Sequence, residues 1–65
     1  MILSDRMTEI VRQHLRSGEM LWTLEEAKEF KKIYQETFRS NMDLSCALCV
    51  SSCIKKMARH ANIQA

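Results

Sequence analysis

Three cysteines close together in the last third of the sequence are the residues best placed to do chemistry. Cys46, Cys49 and Cys53 have the spacing C-x2-C-x3-C, and His60 follows seven residues after the last of them. At about 100° per residue, these four side chains fall on one face of a helix. Thiolates and imidazoles are common zinc ligands, so the pattern could hold a metal. It also fits an apolar stripe, because free cysteine packs as a small hydrophobe.

Burial of the cysteines is the favoured interpretation, since zinc has a geometric requirement that a continuous helix does not meet. Cys46 and Cys53 would lie about 10.5 Å apart along the helix axis, too far for zinc–sulfur bonds of about 2.3 Å. A zinc site would need Cys46 ahead of the helix and a further ligand, such as His14 or a group from a partner. A redox role is the remaining alternative, although a Cys46–Cys53 disulfide would exceed the usual Cα separation of about 7 Å.

Catalysis has little support in the sequence. His14 and His60 are the only histidines, and nothing near them suggests an oxyanion hole. A glycine-rich loop for phosphate binding is also lacking, since Gly18 is the only glycine. We therefore predict a protein that is not an enzyme and needs no cofactor, with zinc as the alternative.

A cluster of basic residues near the end of the sequence could contact nucleic-acid phosphates. It consists of Lys55, Lys56, Arg59 and His60. Three short helices would also suit a helix-turn-helix protein. The net charge is only +2, from ten Lys and Arg against eight Asp and Glu, so the cluster also fits an ordinary solvated surface. A DNA- or RNA-binding regulator that uses this helix is kept as an alternative function.

Three large apolar residues, Met20, Leu21 and Trp22, lie in a segment that joins two predicted helices. Such connections usually expose polar groups, and Trp and Met are enriched at the centres of protein interfaces. The segment therefore predicts a surface for a partner protein or for self-association. The competing interpretation is that Trp22 closes the open end of the core.

The first helix that must position these residues is predicted over residues 4–17. Ser4 is a strong N-cap, and Gly18 stands where a left-handed residue would end the helix. The apolar residues recur at the spacing of one buried helical face, and they are Met7, Ile10, Val11 and Leu15.

The second helix is predicted over residues 23–40 and the third over residues 44–61. The second opens with a capping box from Thr23 to Glu26, and its inner face comprises Leu24, Ala27, Phe30, Ile33, Tyr34 and Phe38. The third has an apolar stripe at helical spacing, formed by Cys46, Cys49, Val50, Cys53, Ile54, Met57 and Ala61. The tail after residue 61 is expected to fray.

Length and composition set the class of fold. The 65 residues fit a single domain over residues 1–65, and the absence of proline argues against a turn-rich β fold. We therefore predict an all-α, three-helix bundle. No apolar run approaches the roughly 20 residues that span a bilayer, and the first residues lack the pattern of a signal peptide. These features predict a cytoplasmic protein.

The preferred function is a small non-enzymatic protein-interaction module: an accessory subunit, adaptor or inhibitor that docks through an apolar helical surface. A chain of this size can still offer the roughly 800 Å² per partner of a stable interface. The amphipathic helix, the Ile33-Tyr34 segment and the following helix that carries Cys46-x2-Cys49 together resemble small accessory proteins of phages and mobile elements. That resemblance implies no particular functional residues.

Overall fold

The computed structural model describes residues 3–65, which form three α-helices. They are α1 (Asp5–Ser17), α2 (Leu24–Phe38) and α3 (Ala47–His60), and no strand occurs within the described residues. The prediction of an all-α, three-helix fold is confirmed. The helices pack into a body of 25 × 24 × 19 Å.

Both ends of α1 form as the sequence predicts. The Ser4 Oγ accepts a hydrogen bond from the Met7 N–H at 3.1 Å, which satisfies one of the free donors of the first turn. Gly18 adopts φ 77°, and its N–H donates to the carbonyl oxygen of His14 at 2.8 Å. A left-handed glycine costs little because it has no Cβ, so the helix ends there.

The start of α2 confirms the predicted capping box. The Glu26 N–H donates to the Thr23 Oγ1 at 3.2 Å, and the Thr23 N–H donates to the Glu26 Oε1 at 2.9 Å. The second carboxylate oxygen of Glu26 accepts from the Arg6 Nε at 3.0 Å. These bonds to the Thr23 N–H and to Arg6 lower the pKa of Glu26. The same side chain therefore caps α2 and ties it to α1.

The predicted end of α2 at residue 40 is too late, because the helix ends at Phe38. Arg39 adopts the left-handed conformation with φ 53°. A residue with a Cβ pays about 1–2 kcal/mol for that conformation. No glycine marks this end, which is why the sequence pattern placed it two residues too far along.

Arg39→Gly is expected to raise the free energy of unfolding by about 0.5–1 kcal/mol. It removes the left-handed strain, and the greater freedom of glycine in the unfolded chain offsets part of the gain. Urea unfolding followed by circular dichroism measures the change. Arg39→Ala is the matched control, since it removes the same charge and keeps the strain. An equal gain in both variants would attribute the effect to charge.

The third helix begins three residues later than predicted, at Ala47. The Asp43 Oδ1 accepts from both the Ser45 N–H at 2.9 Å and the Ser45 Oγ at 2.6 Å. Such local bonds hold a short polar segment in a turn that competes with helix. Cys46 becomes the N-cap, with its Sγ accepting from the Cys49 N–H at 3.3 Å.

The prediction of a frayed C-terminal tail is wrong. The Asn62 N–H donates to the carbonyl of Arg59 at 3.3 Å, and the Ile63 N–H donates to that of Ala58 at 2.8 Å. With Asn62 at φ 58°, this is a Schellman ending in which asparagine takes the place of glycine. Ile63 is buried against the core, and the Arg12 Nε donates to the carbonyl of Gln64 at 3.2 Å.

One apolar core joins the three helices, the connections and the tail. Its buried members are Leu3, Met7, Ile10, Val11, Phe30, Tyr34, Met42, Val50, Ile54, Met57, Ala58 and Ile63. Leu24, predicted on the inner face of α2, is instead 67% exposed, because the first turn of α2 extends past the edge of the core. Among the described residues, no helix has the length and apolar character needed to cross a membrane.

Candidate protein-docking groove

An open groove lies where the α1–α2 connection and the first turn of α2 meet the start of α3. Its volume is about 350 Å³, near the lower end for sites that hold organic groups. The lining residues within the described part of the chain are all uncharged. Thr23 and Ser45 contribute polar groups, and the apolar lining is formed by Met20, Trp22, Leu24, Ala27, Leu44, Ala47 and Val50.

Trp22 forms part of the groove and also contacts the core. It is half-buried, and its ring centroid lies 5.4 Å from that of Phe30 with the planes tilted by 49°. Aromatic pairs at such distances stabilise packing beyond the area that they bury. Trp22 therefore has the packing expected of a residue that closes the core, and the rest of its side chain faces the groove.

The structure brings together two of the three predicted partner-binding residues. Met20 and Trp22 line the groove, whereas Leu21, 51% exposed, lies away from it beside Arg6 and Gln13. Leu24 is the most exposed of the large apolar groove residues that the sequence interpretation did not assign to a partner surface. Its position directly after the Thr23 cap was the available signal, because residues of a first helical turn often project beyond the core.

The predicted burial of the cysteine stripe is wrong for Cys49, which is exposed, while Cys46 and Cys53 are half-buried. The buried face of α3 is formed by Val50, Ile54, Met57 and Ala58. Cys49 precedes Ile54 by five residues, which is about 140° around the helix. Cys49 therefore lies beside the buried face of α3, and Cys46 is the N-cap residue that precedes the helix.

His14, the predicted zinc ligand on α1, uses both ring nitrogens within the fold. Its Nδ1 lies 3.2 Å from the carbonyl oxygen of Glu19, and its Nε2 lies 3.0 Å from the Ser51 Oγ. A carbonyl only accepts, so Nδ1 carries a proton; in the neutral ring, Nε2 accepts from the serine hydroxyl. This buried ring links α1, the following connection and α3.

The side-chain geometry does not fit the zinc alternative. Within residues 3–65, no three His, Cys, Asp or Glu side chains converge on a point that could hold a metal ion. Cys46 does lie ahead of α3, as such a site would need. His14, however, bonds to Ser51 and Glu19, and the His60 ring packs edge-on against Phe38 at 5.2 Å between centroids.

The basic residues of α3 lie in different environments, and only some of them contact aromatic rings. The Lys56 Nζ lies 4.6 Å from the ring centroid of Phe38 and 5.9 Å from that of Tyr34, a cation–π geometry. His60 contacts the same Phe38 ring. Lys55 lies elsewhere, beside Leu48, and Arg59 is exposed. Nucleic-acid binding by this cluster stays a prediction.

Comparison with known protein families, curated proteins and solved structures gives no match to this chain. The resemblance to small accessory proteins of phages and mobile elements therefore also stays a prediction.

Proposed function

We propose that this chain is a non-enzymatic protein-interaction module that binds an apolar helical segment of another protein in the groove beside Trp22. The observation that supports the proposal is an uncharged groove with Leu24 exposed on its rim. An accessory subunit, an adaptor or an inhibitor could use such a surface. The expected occupant carries apolar side chains at helical spacing, as in other helix-in-groove complexes.

The energetics favour an apolar occupant over nucleic acid. Burying a leucine side chain fully contributes about 1.5–3 kcal/mol, and Leu24 contributes little of this while it is exposed. Trp22 supplies a rigid aromatic wall of the kind that dominates interface energetics. Nucleic-acid sites rely on cations that face phosphates, and none of the residues from 3 to 65 that line this groove is charged.

The first experiment identifies the occupant by site-specific photo-crosslinking in cells that naturally produce the protein. A photoreactive phenylalanine analogue replaces Leu24 on the groove, and the matched control carries it at Leu21, outside the groove. We expect position 24 to crosslink one discrete protein segment, rich in apolar residues, that position 21 does not capture. Crosslinks mainly to nucleic acid, to a second copy of this chain or to nothing would contradict the proposal.

The second experiment measures the contribution of the groove with a synthetic peptide of the captured segment. Leu24→Glu is expected to weaken binding by about 2 kcal/mol, roughly 30-fold in Kd, because it puts a charge where apolar side chains pack. Leu21→Glu makes the same change outside the groove and should leave Kd unchanged. Neither variant should lower the melting temperature much, since both leucines are exposed; at the start of α2, an acidic side chain also suits the helix dipole. Equal losses in both variants would overturn the assignment of the groove.

Trp22→Ala is less informative about docking, because Trp22 also packs on Phe30. Its fluorescence is more useful, since it is the only tryptophan in the sequence. A blue shift of the emission on peptide addition is expected in the parent and in Leu21→Glu.

A further inference from the structure

Two of the three thiols meet at the start of α3. Cys46 is the N-cap residue, with the extended backbone angles φ −105° and ψ 105°, and Cys49 is the third residue of the helix. The Cys49 N–H donates to the Cys46 Sγ at 3.3 Å. The sulfur of Cys46 is thereby held over the first turn, on the side from which Cys49 projects.

The separation of these two residues suits a disulfide. A rise of about 1.5 Å per residue on a Cα radius of about 2.3 Å puts residues three apart at about 5 Å. Disulfides join Cα atoms about 4.4–6.8 Å apart. Cys46 also lies outside the regular helix, so its side chain is not bound to helical directions. The same geometry puts Cys46 and Cys53 more than about 10 Å apart, beyond the reach of a disulfide.

The two thiols are accessible, and their pKa values are shifted in opposite directions. Cys49 is exposed and Cys46 is half-buried. The thiol and the backbone N–H of Cys49 lower the pKa of Cys46, whereas the Cys46 side chain raises the pKa of Cys49. At neutral pH a larger fraction of Cys46 than of Cys49 is therefore in the thiolate form, which is the form that attacks a disulfide.

Cys53 has different surroundings. It packs against the core and lies close enough to Tyr34 that burial and the Cys53 thiol together raise the pKa of the Tyr34 hydroxyl. Cys53 is therefore the thiol that is expected to stay reduced, and it serves as an internal control for the oxidation of the other two.

We propose that Cys46 and Cys49 form a reversible intramolecular disulfide by exchange with a low-molecular-weight disulfide. The Cys46 thiolate attacks one sulfur of that disulfide and forms a mixed disulfide, and the first thiolate leaves. Cys49 then loses its proton to solvent and attacks the Cys46 Sγ, and the second thiolate leaves. The two protein thiols are oxidised, the small disulfide is reduced to two thiols, and a reducing thiol pool reverses the sequence.

The test equilibrates the 65-residue protein with glutathione and glutathione disulfide over a range of ratios. Free thiols are then blocked by alkylation, and the products are weighed by intact mass spectrometry. The three cysteines fall between Arg39 and Lys55, in one stretch without an intervening Lys or Arg, so fragmentation of that tryptic peptide identifies the linked pair. We expect monomeric protein that carries one alkyl group, on Cys53, with Cys46 joined to Cys49, and that is two hydrogen atoms lighter than reduced protein with one alkyl group.

Serine variants separate the roles of the thiols. Cys53→Ser should oxidise like the parent. Cys46→Ser should lose the intramolecular disulfide and still fold, because serine is a favoured N-cap. Cys49→Ser should stop at the mixed disulfide, with one glutathione bound at Cys46. In the reduced parent, limited iodoacetamide at neutral pH should modify Cys46 before Cys49, although Cys49 is the more exposed thiol.

Several outcomes would overturn the proposal. They are a disulfide that joins Cys49 to Cys53, an intramolecular disulfide that persists in Cys46→Ser, disulfides mainly between two protein molecules, and no oxidation in excess glutathione disulfide. Circular dichroism of each reduced variant confirms that it is folded before its result is read.

Discussion

Phe30→Asp is expected to leave the protein largely unfolded at room temperature. Phe30 is 0% exposed, at the centre of the core, and it supports the Trp22 ring. Truncating a buried phenylalanine costs about 3–5 kcal/mol, and an unpaired buried charge adds several more. A chain of 65 residues has a total stability of only about 3–10 kcal/mol at typical values per residue. The substitution therefore removes most or all of the folding free energy.

Ile10→Asp on α1 should have a comparable effect, because Ile10 is buried in the same core. Lys28→Asp on the exposed face of α2 is the matched control. It introduces the same side chain into the same helix, and it should change stability by about 0.5 kcal/mol or less, as surface substitutions usually do. Circular dichroism during thermal melting measures all three variants. Parent-like melting of Phe30→Asp and Ile10→Asp would show that these faces of α1 and α2 are not buried.

Local rules predicted the parts of this fold that depend on neighbours in sequence. Ser4, Thr23 and Gly18 define helix ends through their own side chains or backbone freedom, so each end could be assigned from a few residues. The apolar periodicity of α1 was equally direct, because Met7, Ile10 and Val11 do lie in the core.

Features that depend on distant packing could not be predicted in that way. The angle of α3 about its own axis is set by what α1 and α2 present to it, and the core contacts Val50 and Ile54 more closely than Cys49. Ile63 is held by a Schellman ending on asparagine, a weaker sequence signal than glycine. Leu24 was predicted on the inner face of α2 but is exposed, whereas Met42 is buried although it lies in a connection between helices.

The candidate groove was only partly predictable for the same reason. An apolar segment in a connection identified Met20 and Trp22, because such residues conflict with the usual polarity of loops. The opposite wall comes from Leu44, just before α3, and from Val50 on α3. Their proximity to Met20 and Trp22 results from the packing of the helices and cannot be read from local sequence. The pairing of Cys46 with Cys49 likewise depends on where α3 begins, which the hydrogen bonds of Asp43 to Ser45 decide.

Met42→Ala is expected to lower the free energy of unfolding by about 2–5 kcal/mol, the range for removing a buried methionine side chain and leaving a cavity. Met42 lies in the α2–α3 connection, yet it is only 1% exposed and belongs to the core cluster. The turn that follows it is fixed by Asp43 and Ser45, which limits how far the connection can collapse into the vacated space. Because the structure around Met42 can collapse only a little, we expect the loss of unfolding free energy to fall in the upper part of the range of about 2–5 kcal/mol.

Two further variants separate packing from other effects at this position. Met42→Leu keeps most of the volume and should cost less than about 1.5 kcal/mol. Leu48→Ala, at a position that is 84% exposed on α3, removes a side chain of similar size and should cost about 0.5 kcal/mol or less. Urea titrations of the reduced proteins, followed by circular dichroism, give the three values on one scale. If Met42→Ala lost no more stability than Leu48→Ala, the connection would not be part of the core. The expected order would instead show that Met42, although it lies in a connection between helices, stabilises the fold as a core residue.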